Sequence, residues 1–429
     1  MRSQTLLLAS FFTACSTQSV PLGSDSAPPS ACESKPCDAG VSAVDATALS
    51  DAAVTPDFAV QEWGTYTSVV ASDGHTLPGV HHVDEALPAW VHRRNLNGAP
   101  GYFMDSLPEE PRQQLETPVL YFWSKEKRDV EVTVNFPDGL IGEWYPEAKS
   151  YLPAIGGVSA LAAGSMTWKV NLDPQWSSSK YQSVSKDEIW APSRNVKSTP
   201  VVNGSESEQF IFYRGLGKFI APISVKIDGN DVLSIHNDSD DAVAEVFVLR
   251  FTGEGGDVIS GGSVGARQSI SVNAPAPSKT ADSYVATARN SLRNALQKTG
   301  LNLDVAQSMV DTWTRSWFHN TGLRVLYVAP RAWTDKWLPT TVSPTPDVFL
   351  RTLVGRVEVL NAAEEKDAVT KVRAFVSSPA AQDIAQAHTF IRTLGRFAEP
   401  RISRVIEQTT DPAELAAAKS LLTIAHSAD

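Results

Sequence analysis

Half of the eight histidines in this chain fall between positions 75 and 92, in the stretch DGHTLPGVHHVDEALPAWVH, which carries His75, His81, His82 and His92 with Asp84 and Glu85. Imidazoles and a carboxylate on one segment can complete a three- or four-ligand site for zinc, copper or iron. If the segment is extended, His82 and Asp84 point to the same side, as two ligands of one ion must. The spacing follows no established template such as HExxH, and an exposed loop rich in histidine accounts for it equally well. His75, His81, His82, Asp84 and His92 are therefore the candidate metal ligands, and the leading expectation remains that no cofactor is bound.

Two other patterns lead nowhere chemically. Gly261-Gly262-Ser263-Val264-Gly265 spells a nucleophile elbow, but Ala266–Val272 alternates like a strand where the elbow needs a helix, so Ser263 is expected on a Gly-rich hairpin turn. Gly215-Leu216-Gly217-Lys218 lacks the spacing of a phosphate loop and is followed by Phe219. Carboxylates such as Asp84, Glu85, Glu109, Glu110, Glu143 and Glu147 could pair for glycoside chemistry, yet a chain with 48 acids places neighbours together by chance.

The eleven tryptophans say more. Trp63, Trp90, Trp123, Trp144, Trp168, Trp176 and Trp190 fall in one half of the chain, where most are expected to fill a core. Trp90, Trp144, Trp176 and Trp190 lie in loop-like stretches and are the candidates for a ligand platform, because indole faces suit sugar CH groups and pocket walls.

These residues need elements to hold them. Phe58–Val69, Thr117–Trp123, Val130–Phe136, Ser165–Leu172, Gln209–Tyr213, Ile223–Ile227, Val232–His236, Ala244–Phe251 and Ser269–Val272 are β-branched, aromatic or alternating, and predict strands. Turn chemistry such as Pro137-Asp138-Gly139 and Asp228-Gly229-Asn230 separates them. Many short strands without interleaved helices predict a β-sandwich-like body over 57–276. Gly74–Pro118 and Trp144–Gly164 read as long connections. From Ala281 the period changes: Ala281–Thr299 and Asp304–Phe318 predict a helical pair, and Leu323–Ala329 and Val348–Leu360 return to strand character. Residues 277–360 are expected to pack on the β body. Ala362–Ser377, Ala380–Gly395, Arg401–Thr409 and Pro412–His426 predict a helical tail over 361–429, resembling a short HEAT-like array without a firm period. The expected class is mainly β followed by α-helical, α+β as a whole.

The amino end carries an address. Arg2 gives a positive start, Thr5–Phe12 an apolar middle, and Thr13-Ala14 a small-residue exit before Cys15, the order of a secretory signal over 1–14. Cys15 resembles the lipobox cysteine of bacterial lipoproteins, with Phe12 where that family usually has Leu. The resemblance implies cleavage before Cys15, diacylglycerol on its thiol and a fatty acid such as palmitate on its amine, a stable anchor. Ser16 after it implies the outer membrane. Residues 15–56 hold this cysteine and a stretch from Ser16 to Pro56 without an aromatic side chain, which reads as a disordered tether. Within it Cys32 and Cys37 are expected to form a local disulfide, with two free thiols as the alternative.

Glu62-Trp63-Gly64-Thr65-Tyr66-Thr67, Phe210-Ile211-Phe212-Tyr213-Arg214-Gly215 and Leu323–Tyr327 followed by Pro330-Arg331 resemble phrases of an uncharacterised group of bacterial envelope proteins. That resemblance implies a shared fold over about 58–360 and no activity. Glu62, Arg214 and Arg331 stand among large apolar residues, which predicts buried salt bridges; Arg214 is also a candidate ligand contact. A balance of 37 basic against 48 acidic residues, net −11, excludes nucleic acid as the main partner. No apolar run approaches the length of a membrane-spanning helix, so the expected membrane contact is the lipid alone. The expected function is a lipid-anchored envelope protein whose β body binds a glycan or another envelope component without chemistry. The alternatives are a metal-dependent hydrolase or oxidase built on the His75–His92 loop, and an assembly factor docking a protein partner through its C-terminal helices.

Overall fold

Strand β1 (Phe58–Val70) is buried along all thirteen residues, the pattern of a strand covered on both faces. A computed structural model describes residues 56–80, 87–94, 111–154 and 160–426, and shows why. On one side β1 runs parallel to β20 (Val348–Val359); on the other it pairs antiparallel with β4 (Gln113–Ser124). Among the described residues these belong to an eleven-stranded sheet. Its order is β17 (Lys279–Thr280), β15 (Gly255–Val264), β14 (Val243–Phe251), β18 (Gly322–Val328), β20, β1, β4, β11 (Ile211–Gly217), β6 (Gly139–Tyr145), β3 (His92–Arg93), with β2 (Thr76–Leu77) on the end of β1.

A six-stranded sheet runs β10 (Glu206–Glu208), β9 (Val201–Asn203), β8 (Gly164–Leu172), β5 (Arg128–Phe136), β19 (Thr340–Ser343), with β7 (Ser150–Leu152) on β8. Here β5 and β8 alternate between buried and part-exposed residues, so one face is covered. A three-stranded sheet holds β12 (Ile223–Ile227), β13 (Val232–Asn237) and β16 (Ser269–Asn273).

The large sheet is the middle layer between two apolar cores. On one face Tyr66, Leu120 and Phe122 meet Val132, Met166 and Trp168 of the second sheet and Val225 and Ile235 of the third. On the other, Trp63, Tyr121 and Phe212 meet α1 (Ala281–Lys298) and α2 (Leu303–Phe318) through Leu292, Met309 and Trp317. A short helix, α3 (Arg331–Trp337), precedes β19. The chain closes with α4 (Ala362–Val376), α5 (Ile384–Leu394), α6 (Ala398–Gln408) and α7 (Pro412–His426), which share a third core. None of the helices among the described residues is long and apolar enough to cross a membrane.

The expected β body and helical tail are present. Two of the differences concern the layout of the sheet. β6 falls where the sequence reads as turn and loose connection, because its edges are satisfied by β11 and β3 and not by an alternating pattern. The division expected at 276 does not separate two bodies, since β18 and β20, read as packing on the β domain, lie inside its main sheet.

Candidate functional site

His92 sits on β3 opposite Trp144 of β6, at the edge of the large sheet. Its ring stacks near Trp144 and Tyr145, with centroids 6.1 and 6.0 Å away. Nδ1 lies 3.1 Å from a Glu147 oxygen and Nε2 lies 2.7 Å from Glu206 Oε1. The other carboxylate oxygens are also used: Glu206 Oε2 accepts from the Glu147 backbone N–H at 2.6 Å, and Glu147 Oε1 accepts from Ala148 N–H at 3.1 Å. The node therefore fastens β3 and β6 to β10 of the second sheet, and leaves neither imidazole nitrogen open to a metal.

His75 lies elsewhere. It leads into β2, and its Nε2 is 3.0 Å from Glu407 of α6. Strands β4, β11 and β6 separate β1 and its attached β2 from β3. The four strand spacings from β1 to β3 come to roughly 19 Å, far beyond the span of one ion's ligands. A site uniting His75 with His92 is thus overturned. His81, His82, Asp84 and Glu85 lie outside the described residues, as do Cys15, Cys32 and Cys37. Among the described residues no group of three or more His, Cys, Asp or Glu is placed to hold a metal ion.

The tryptophans divide. Trp144 and Trp190 are each 2% exposed and belong to the cores, so as surface platforms they are corrected. Trp144 is held on a strand and not a loop; Trp190 is pressed onto Phe210 and Phe212, and its Nε1 donates to Glu208 at 2.7 Å. Arg194 closes the same carboxylate at 2.6 Å. Trp90 and Trp176 stay half-exposed. Trp90 is braced edge-to-face by Tyr145 at 4.6 Å and Trp190 at 4.9 Å. Trp176 carries the Lys180 ammonium 3.8 Å from its ring centre.

The charged residues set among apolar ones form buried pairs at two of three positions. Glu62 receives the Arg351 guanidinium and, at 2.5 Å, the Tyr213 hydroxyl. Arg351 continues to Asp335 at 2.8 Å, and Asp335 to Arg331 at 2.6 Å. Arg331 is the exception: it is exposed at the outer end of this line, over the Phe349 ring. Arg214 is buried beside Glu143 at 3.4 Å, which Arg93 reaches at 3.0 Å. Register shifts run through β1, β4, β11 and β6 at this level, with Thr117 at φ 44 before Pro118, and such bulges re-aim side chains.

A second buried cluster escaped notice in the sequence. Glu358 accepts from Arg324 at 2.8 Å and from Arg356 at 2.6 Å, and Arg356 reaches Ser316 at 2.7 Å. Its signal was the spacing of Arg351, Arg356 and Glu358 in an otherwise apolar strand. Also unforeseen is a line from Ser269 to His236 Nδ1 (2.8 Å) and from Nε2 to Asp238 (3.5 Å). It has the members of a nucleophilic triad, but the histidine and aspartate side chains are each 37% exposed on an open sheet face, where fixed dipoles stabilise developing charge poorly. Ser263 is on β15 and exposed, not in a hairpin turn; the turn that joins β15 to its partner β14 lies at Thr252–Gly255.

No family model matches the chain, and no curated protein matches it in sequence. Among solved structures, the yeast delta-COP-I mu-homology domain in complex with a Dsl1 WxWxV peptide aligns over 71% of this chain and 98% of its own at 7% identity, with a TM-score of 0.26. The same domain without peptide aligns over 72% and 100%, again at 7% and 0.26. A TM-score of that size carries no argument about fold or activity.

Proposed function

We propose that this is a lipid-anchored protein of the bacterial cell envelope, held in the outer membrane through Cys15, whose sandwich-like β body binds a polyhydroxylated envelope ligand such as a glycan without chemistry of its own. The observation that supports it is Trp90. Its ring keeps a half-exposed position while Tyr145 and Trp190 fix it from behind, so little side-chain entropy opposes stacking on a sugar face. Trp176, held by Lys180, is the second platform.

Two experiments test the two halves. Cys15→Ser should leave an unprocessed precursor or release the protein from membranes; a processed mutant that still partitions with detergent removes the anchor. For the ligand, binding to purified peptidoglycan fragments should weaken at least about fivefold, roughly 1 kcal/mol, in Trp90→Ala. Equal binding by that variant and by Trp176→Ala sinks the platform. One equivalent of zinc, copper or iron in protein purified without chelating resin replaces this reading with a metalloenzyme.

A further inference from the structure

We propose that helices α4–α7 are a releasable module, docked on the body by a latch of ion pairs with Arg396 as its pin. Three observations point there. The module has its own apolar core of thirteen buried residues, from Val369 to Ala425, drawn from all four helices. It also completes four of its eight helix ends internally: Asn361 and Glu364 form a capping box on α4, Asp383 caps α5, Asp411 caps α7, and Arg401 covers the Leu394 carbonyl at 2.6 Å. Its folding therefore asks little of the sheet.

The seam, by contrast, is mostly charge. Its apolar part is Val69, Ala71, Leu77, Val80 and Leu360 around Phe397. Arg396, its side chain 6% exposed, bonds Glu116 of β4 and, at 2.7 Å, Ser316 of α2. Arg404 reaches Asp73 at 3.0 Å, His75 meets Glu407 at 3.0 Å, and Glu365 accepts from the Ser72 backbone and hydroxyl at 3.2 and 3.0 Å. A cleft of about 330 Å³ between α4 and α6, lined by Glu365, Lys366, Thr370 and Gln408, reaches the seam at Ser72. Release would uncover Glu116, Ser316 and Arg356, whose guanidinium now lies 5.7 Å from the Phe397 ring centre.

Hydrogen–deuterium exchange on the full chain tests this. In Arg396→Glu, segment 71–80 should exchange at least tenfold faster while α4–α7 and β1 keep their protection. The double change Arg396→Glu with Glu116→Arg should restore the slow rate. In the unmodified chain the same segment should exchange faster at 1 M than at 0.05 M salt, because the outer pairs are screened. Loss of protection in the helices together with the seam overturns the module, whether caused by the variant or by salt. An unchanged seam under both overturns the latch.

Discussion

A charge with no exposed surface depends entirely on its partners. Glu62 and the Arg351 side chain are both fully buried, so Arg351→Met strands a carboxylate and should cost about 3–5 kcal/mol in urea unfolding. The double variant Glu62→Leu with Arg351→Met should recover most of that loss; a silent single variant would show the pair to be idle. Acid sensitivity belongs to Glu358. Burial pushes its carboxyl up, but Arg324 and Arg356 pull harder and hold it below the ordinary 4.5. A depressed native value stabilises the fold above the unfolded value, and that contribution is lost as pH falls through the native one. The melting temperature should therefore drop below about pH 4.5, and drop less in Glu358→Gln. The tyrosines act in the opposite direction. Burial pushes the hydroxyls of Tyr66 and Tyr213 well up, and that of Tyr284 to about 12. Their contribution is intact below the ordinary value near 10 and fades as pH rises toward the native values. Absorbance at 295 nm should then show these hydroxyls ionising together with unfolding; gradual ionisation in the folded protein contradicts their burial.

At the scale of elements, β20 shows how tightly a central strand is fitted. A Cβ on Gly355 would stand 2.1 Å from Cζ of Tyr327, whose hydroxyl pairs with Tyr66 at 2.7 Å. Gly355→Ala should cost about 1–3 kcal/mol or more by calorimetry, and adding Tyr327→Leu should return part of it. Helices were legible because each carries its own evidence: the apolar face of Val285, Ala288 and Leu292, or the Asp411-Pro412 start of α7. Strands β1, β5 and β8 were legible from β-branched runs. β15 was not, since GGDVISGGSV has too many glycines to look like a strand and is held by pairing with β14. The candidate site was read less well for the same reason. Whether Trp144 or Trp190 faces solvent, and whether Glu62 meets Arg351 or Arg331, depends on residues far away in sequence.

Across the whole molecule, the large sheet carries a core on each face, and the sequence from Ser16 to Pro56 contains no aromatic residue. Removing Gln18–Val54 should leave the melting temperature of the body unchanged within about 2 °C; a larger drop would show that this stretch packs on it. Cutting the chain after Asp347 should do the reverse. It removes β20, the strand joining β18 to β1, and the shortened protein should be digested by protease under conditions that spare the full chain.

The parallel pairing of β1 with β20 sets a timetable. A chain that emerges amino end first presents β1 early and its neighbour some 290 residues later, as in the register of Ala59 with Val348. β4 can close one side of β1 soon after the two emerge, but the other side stays an open edge, able to capture a foreign strand, until nearly the whole body has followed. For this chain the interval between first strand and last is the period of greatest exposure to misassembly. A holding chaperone would be needed throughout it, and no longer once residue 359 is free.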